Sequence, residues 1–213
     1  MYEPEHFRIT DRSVLIEVIK ARPLGLLITA GLDGASADCI PFIPVEQDGV
    51  LHLHAHVAKA NPVWQALQKD PRVLVVFQAE DHYVSPSWYE TKRQTGRVVP
   101  TWNYVMVQVQ GSATVHEEAG WLHAQVDAMT TTQEQSRAKP WAVADAPLAF
   151  TASQLRAIVG LEIEISDIRG KFKLSQNRNA ADQTGVVEGL RATATGRSMA
   201  ERMDALKTGK PNG

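Results

Sequence analysis

Apolar positions change their period twice in the first third of the chain. Between Asp11 and Arg22, Val14, Leu15, Val18 and Ile19 recur at helical spacing, which predicts an amphipathic helix stopped before Pro23. From Leu24 the spacing is that of strands. Residues 24–30 are apolar, Asp33-Gly34 is a hairpin turn signal, residues 35–45 continue extended, and Asp48-Gly49 turns into residues 50–56. These read as a three-stranded antiparallel meander. Asn61-Pro62 then has the form of a helix start, with Asn at the cap and Pro at the first helical position, and the short helix stops near Asp70-Pro71. Residues 72–78 are a fourth strand.

Residues 78–101 read as a long, aromatic loop, and residues 102–116 alternate with Val105, Val107 and Val109 on one face, a fifth strand. A helix over 121–129, an irregular stretch over 130–150 and a helical turn over 152–158 lead to Leu161, Ile163 and Ile165, a sixth alternating strand. Ser198 and Glu201 form a capping box for a terminal helix over 198–207 with a frayed end, TGKPNG. Six strands with few helices predict a mainly β fold with peripheral helices (α+β), a barrel or sandwich. The expected organisation is one domain over 1–190 and a C-terminal helical tail over 191–213.

Composition narrows the function. Of 213 residues 44% are apolar and 22% charged, so the chain buries a core rather than staying disordered. The charge, 22 − 24 = −2, lacks the positive excess of a general nucleic-acid binder. Cys39 is the only cysteine, which excludes disulfide frameworks and zinc sites built from paired cysteines, and suits a reducing compartment. With no cation near it in sequence, it reads as a small buried filler and not a redox thiol. MYEPEHFRITDRS carries acids where a secretory signal would be basic and then apolar, and the longest central apolar run is residues 73–77. A cytoplasmic protein without a membrane segment is expected.

Three segments are candidates for chemistry. His52, His54 and His56 alternate on one strand face; with no carboxylate in the segment they read as exposed histidines rather than metal ligands, so no metal is expected. After them, His56, Lys59 and the amides of the helix beginning at Asn61 form a strand-to-helix junction suited to phosphate, or a capped helix with a solvated lysine. In RGKFKLSQNRNA, Arg169, Lys171, Lys173 and Arg178 have no acid between Asp167 and Asp182. Lys171 and Lys173 share a strand face while Phe172 and Leu174 point inward, and Ser175, Gln176 and Asn177 add neutral hydrogen-bonding groups. The cluster suits an anionic ligand, or else is a solvated basic edge that blocks strand aggregation. The aromatic loop holds Trp88, Tyr89, Trp102 and Tyr104 beside Lys92, Arg93 and Arg97, a composition fit for stacking on a flat heterocycle or for a subunit interface. Gly-rich nucleotide fingerprints, a Walker loop, a nucleophile elbow and HExxH are all missing.

Five motifs in order, MYEPEHF at the start, AKANPVW at 58–64, YVSPSWY at 83–89, VPTWNY at 99–104 and GKFKLSQNR at 170–178, closely resemble the PaiB-type proteins, described as FMN-binding negative transcriptional regulators. The resemblance runs nearly end to end. It implies an FMN-binding split β-barrel similar to pyridoxamine 5′-phosphate oxidase, assembled as a homodimer with FMN at the subunit interface. It further implies that Lys59 meets the FMN phosphate with His56 and Asn61 beside it, and that the strand carrying Ile40, Pro41 and Phe42 runs under the ribityl chain and ring. Trp102, Asn103, Lys173, Ser175, Gln176 and Arg178 would close the pocket. FAD, needing a second phosphate site and an adenosine cleft, is not expected. Two other readings stand beside a flavin oxidoreductase or sensor: a DNA-binding repressor using Arg93, Arg97 and the cations from Arg169 to Arg178, and a haem-binding split barrel drawing on seven histidines.

Overall fold

The computed structural model describes residues 1–31 and 34–208. A strand of two residues, β1 (Arg8–Ile9), precedes helix α1 (Arg12–Ala21), which lies where the periodicity predicts. The Asp11 carboxylate accepts hydrogen bonds from the Ser13 amide at 2.9 Å and the Ser13 hydroxyl at 2.7 Å, satisfying one of the open amides of the first turn. Leu15, Val18 and Ile19 are the buried face.

Strands β2 (Leu24–Gly31) and β3 (Gly34–Pro41) form a hairpin, and β4 (Ile43–Gln47) forms a second one with β5 (Val50–Ala58). Asp33 of the first turn lies outside the described residues. The predicted meander is therefore corrected: residues 35–45 are two strands, broken at Phe42. The Phe42 amide donates to the Pro23 carbonyl at 2.8 Å and its ring is fully buried. The sequence runs extended through this point, so alternation alone could not locate the break.

Helix α2 (Val63–Lys69) follows, and its first amide, that of Val63, donates to the Asn61 side chain at 2.9 Å. The predicted 78–101 loop is replaced by structure. Strand β6 (Arg72–Val84) continues well past Gln78, a 3-10 turn covers Pro86–Trp88, and α3 (Glu90–Thr95) ends on Gly96 at φ 67°. After β7 (Thr101–His116) come α4 (Ala119–Glu134), α5 (Leu148–Leu155) and the long β8 (Ile158–Lys173), so helix enters both ends of the stretch expected to be irregular, whose middle has only a 3-10 turn over Val143–Asp145. Helix α6 (Ala180–Arg191) has no counterpart in the sequence reading, and α7 (Arg197–Thr208) covers the predicted terminal helix. The rest of TGKPNG, residues 209–213, lies outside the described residues.

The hydrogen-bonded order is β3-β2-β6-β7-β8-β5-β4, with β1 paired to the end of β8. Its two ends, β3 and β4, are separated in sequence by Phe42 alone. The fold is thus an antiparallel sheet with peripheral helices, as expected, with eight strands among the described residues rather than six.

Contacts divide the chain into two compact units, the first of residues 1–22, 77–108 and 169–213, the second of residues 23–76 and 109–168. The core of the first includes Leu15, Ile19, Phe77, Tyr89, Val105, Val107, Phe172, Leu190 and Met199. That of the second includes Leu27, Phe42, Leu53, Ala55, Val75, Leu161 and Ile163. Each of the long strands β6, β7 and β8 contributes a segment to both.

Candidate functional site

The expected site residues fall into two sets. Ile40, Pro41, Phe42, His56, Lys59 and Asn61 belong to the second unit, and Trp102, Asn103, Lys173, Ser175, Gln176 and Arg178 to the first.

In the second unit, Ile40 and Phe42 put their side chains into the core, and Pro41 between them is exposed. On β5, His52, His54 and His56 do share a face, but they are half-buried rather than exposed. His56 Nδ1 lies 2.8 Å from Gln125 Oε1 on α4, and Trp121 from the same helix stacks on His116 with ring centroids 4.3 Å apart. His54 Nε2 sits 3.1 Å from Glu162 Oε2, its partner across the β5–β8 ladder, and His116 Nε2 lies 3.8 Å from Glu162 Oε1. Burial holds the His54 pKa below its usual 6.5, against the opposing pull of Glu162. Among the described residues no three His, Cys, Asp or Glu side chains are arranged to hold a metal ion.

Lys59 leaves the end of β5 and pairs with Glu117 at 2.8 Å, each side chain about half exposed at 50% and 49%. Both residues line a cavity of about 500 Å³ with Leu122, Leu155 and Ile158. Asn61 is fixed from two sides, donating to Asp38 Oδ1 at 3.0 Å while accepting from the Val63 amide. Cys39 is exposed, which corrects its expected role as a buried filler. The edge strand β3 is exposed along most of its length, and Ile40 alone is buried on it.

The set in the first unit is more enclosed. Asn103, on β7, is fully buried and accepts the Ser175 hydroxyl at 3.1 Å. Lys173 closes β8 and donates to the Thr101 hydroxyl and, at 2.6 Å, to the Trp102 carbonyl. Lys171, two residues earlier on the same face, is 9% exposed; it donates to the Tyr2 carbonyl at 3.0 Å and lies 5.3 Å and 5.4 Å from the Tyr2 and Tyr104 ring centroids. Arg178 lies 4.7 Å over the Tyr89 ring. Phe172 and Leu174 point into the core, as alternation predicts, but the reading of this segment as a solvated basic edge is corrected. Its lysines are covered because the ends of β7 and β8 bring Thr101, Trp102 and Tyr104 against them. Burial first, then Lys171 and Arg178, lowers the Lys173 pKa from 10.5.

The aromatic segment is dispersed rather than being one surface. Tyr89 is core, Trp88 and Tyr104 are half-buried, and Trp102 is exposed, edge-on to Tyr83 with centroids 6.1 Å apart. The residues that sequence reading missed are Glu117, Gln125 and Thr101. Each reaches its partner from a distant element, and no local spacing signals such a contact.

Residues 1–167 match the family model described as "Putative FMN-binding domain". A protein from Bacillus subtilis, "Protease synthase and sporulation protein PAI 2", is 31% identical over 210 residues, covering 97% of this chain and 99% of its own. An uncharacterised protein from Emericella nidulans is 34% identical over 219 residues, covering 86% of this chain and 87% of its own. Among solved structures, the FAD and heme binding protein from Mycobacterium smegmatis superposes with a TM-score of 0.61 at 18% identity, covering 83% of this chain and 78% of that one. A conserved hypothetical protein from Mycobacterium tuberculosis gives a TM-score of 0.58 at 15% identity, covering 83% and 92%. These structural likenesses are of fold. The protein is a split-barrel protein of the flavin-binding class. Within that class the chain belongs to the FMN-binding domain family and is PaiB-like over nearly its whole length, with FMN as its cofactor.

Proposed function

We propose that the chain positions FMN for electron transfer, as a small oxidoreductase or as a redox or ligand sensor, and that each set of residues, within its own unit, is a candidate for flavin contact. When bound, FMN supplies one- or two-electron chemistry, and the protein's part is to hold, orient and shield it.

A phosphate dianion needs cations that are not already neutralised. The observation that carries the reading is in the first unit, where Lys173 and Arg178 share a pocket lined by Thr101, Asn103, Ser175 and Asn177, two cations in a polar setting that suits phosphate. In the second unit Lys59 offers an ammonium beside the Asn61-capped turn, provided that the phosphate competes with Glu117. A dianion attracts the lysine more strongly than a single carboxylate does, so an exposed pair of this kind gives way at modest cost. Within the second unit, Ile40, Pro41 and Phe42 are the candidates for the ribityl chain and ring, with His56 beside Lys59; within the first, Trp102, Asn103, Ser175 and Gln176 are candidates beside Lys173 and Arg178.

A cytoplasmic homodimer fits this reading. Trp102 and Tyr83 leave exposed aromatic area suited to a subunit contact, and the only cysteine is a free thiol. Among the described residues no helix is long and apolar enough to cross a membrane. A role in repression through direct DNA contact would draw on the exposed Arg93 and Arg97, Arg93 being paired with Glu90, and on the cations from Arg169 to Arg178. Salt-dependent binding to operator DNA is its test. The flavin reading is tested by an absorbance spectrum of freshly purified protein, with the released cofactor identified by mass. Flavin bands and FMN are expected; a Soret band would replace flavin by haem.

A further inference from the structure

The end of β8 and the turn after it make a cation pocket whose construction asks for a small anion. Lys171, Lys173 and Arg178 converge there closely enough that both neighbours depress the Lys173 ammonium, and none of the three pairs with a carboxylate among the described residues. Holding one buried and two partly buried cations together without counter-charge is costly and persists where the site has a use for it. The Lys173 ammonium spends two of its three N–H groups on Thr101 and the Trp102 carbonyl, which leaves one for a ligand.

The backbone here is held in place. Ser175 has φ 65°, a left-handed conformation that is uncommon for serine, and it is 3% exposed. The turn is pinned by Gln176, whose side chain accepts the Leu174 amide at 2.7 Å and donates to the Phe172 carbonyl at 2.5 Å, and by the Arg178 amide donating to the Ser175 carbonyl at 3.0 Å. The strained residue thus presents its hydroxyl beside Asn103, on the wall that faces Lys173 and Arg178. The space they enclose, about 40 Å³, is several times what one water needs and far too small for a flavin ring.

We infer that Lys173 and Arg178, with Asn103, Ser175 and Thr101, form an oxyanion-binding pocket that takes a phosphate or carboxylate group without any flavin ring being present. This goes beyond the flavin reading, because the site is defined by the oxyanion and not by the molecule that carries it. That molecule is either FMN itself, through its phosphate, or a second small-molecule anion.

The experiment is a calorimetric titration of the flavin-free, full-length chain with inorganic phosphate in a non-coordinating buffer at neutral pH. Saturable binding at ~1 mM or tighter is expected. Lys173→Met and Arg178→Gln should each weaken it at least tenfold, Lys173→Arg should retain it, and Lys69→Gln on the exposed face of α2 should leave it unchanged. Titrating the same variants with FMN and riboflavin identifies the carrier. A loss confined to FMN assigns the pocket to the flavin phosphate, and unchanged binding of both flavins assigns it to a second ligand. Absence of saturable phosphate binding in the wild type, or equal binding in the Lys173→Met and Arg178→Gln variants, overturns the proposal. Phosphate binding by a protein that takes up no flavin would defeat the flavin reading and leave the pocket standing.

Discussion

Lys59 and Lys173 are both strand-end lysines, each drawn from a segment that suits an anion, and the structure treats them in opposite ways. Lys59 stands half exposed with Glu117 as its counter-ion. Lys173 is more enclosed, has neutral oxygens as partners, and has two further cations beside it. The contrast shows that a cation's availability depends on what the fold sets against it as much as on its charge. A lysine already paired must exchange one anion for another. A lysine held among neutral acceptors and like charges gains its counter-ion only when a ligand arrives, so its folding is costlier and its binding stronger.

The most severe way to break this contrast is Lys173→Glu, which sets an acid where Lys171 and Arg178 wait for a ligand. It should cost ~3 kcal/mol of phosphate affinity, the upper scale for a charge-assisted contact, read by calorimetry. Lys59→Glu comes next: beside Glu117 it inverts the local charge, and FMN affinity should fall by about 2 kcal/mol or more while riboflavin, lacking the phosphate, hardly changes. Equal FMN affinity in the variant and wild type would remove Lys59 from the flavin site. The milder change Glu117→Gln frees Lys59 and should raise FMN affinity by up to ~1 kcal/mol at low salt, the range of an exposed ion pair, with the gain fading as salt is added.

Stability sharpens the same comparison. Since folding depresses the Lys173 pKa, the charged ammonium disfavours the native state at neutral pH, and the penalty is relieved as pH rises through the folded value toward 10.5. Lys173→Met should therefore raise Tm slightly, by less than ~2 °C after solvent screening, even as it weakens phosphate binding. No comparable rise is expected for Lys59→Met. The smallest effect concerns His54, whose pKa is also depressed by burial. The stability tied to its neutral form is complete above 6.5 and lost as pH falls through the lower folded value, so denaturant midpoints measured downward from pH 7 should decline less steeply in His54→Gln.

What the sequence disclosed follows from how local each signal is. Helix α1 was legible because Asp11, the four apolar positions and Pro23 lie within one short segment, and β7 because its alternation is long. Helix α6 was not, since Gly185 and Gly189 weaken its helical pattern. Both glycines are there for packing: a Cβ on Gly185 would strike the Trp88 carbonyl oxygen and one on Gly189 the Trp88 ring. The break at Phe42 was hidden for a related reason, because an extended residue that changes hydrogen-bond partners keeps the alternation of a strand. At the site, cation clusters could be read directly from the sequence. Their counter-ions could not, because Glu117 is 58 residues from Lys59 and only strand pairing brings it near.

Whether this chain holds FMN by its phosphate is tested most directly by titrating the flavin-free wild-type protein with FMN and with riboflavin, following flavin fluorescence. FMN is expected to bind at least ~30-fold tighter, the worth of about 2 kcal/mol of charge-assisted contacts. Equal affinity for the two flavins, or no binding of either, would contradict it.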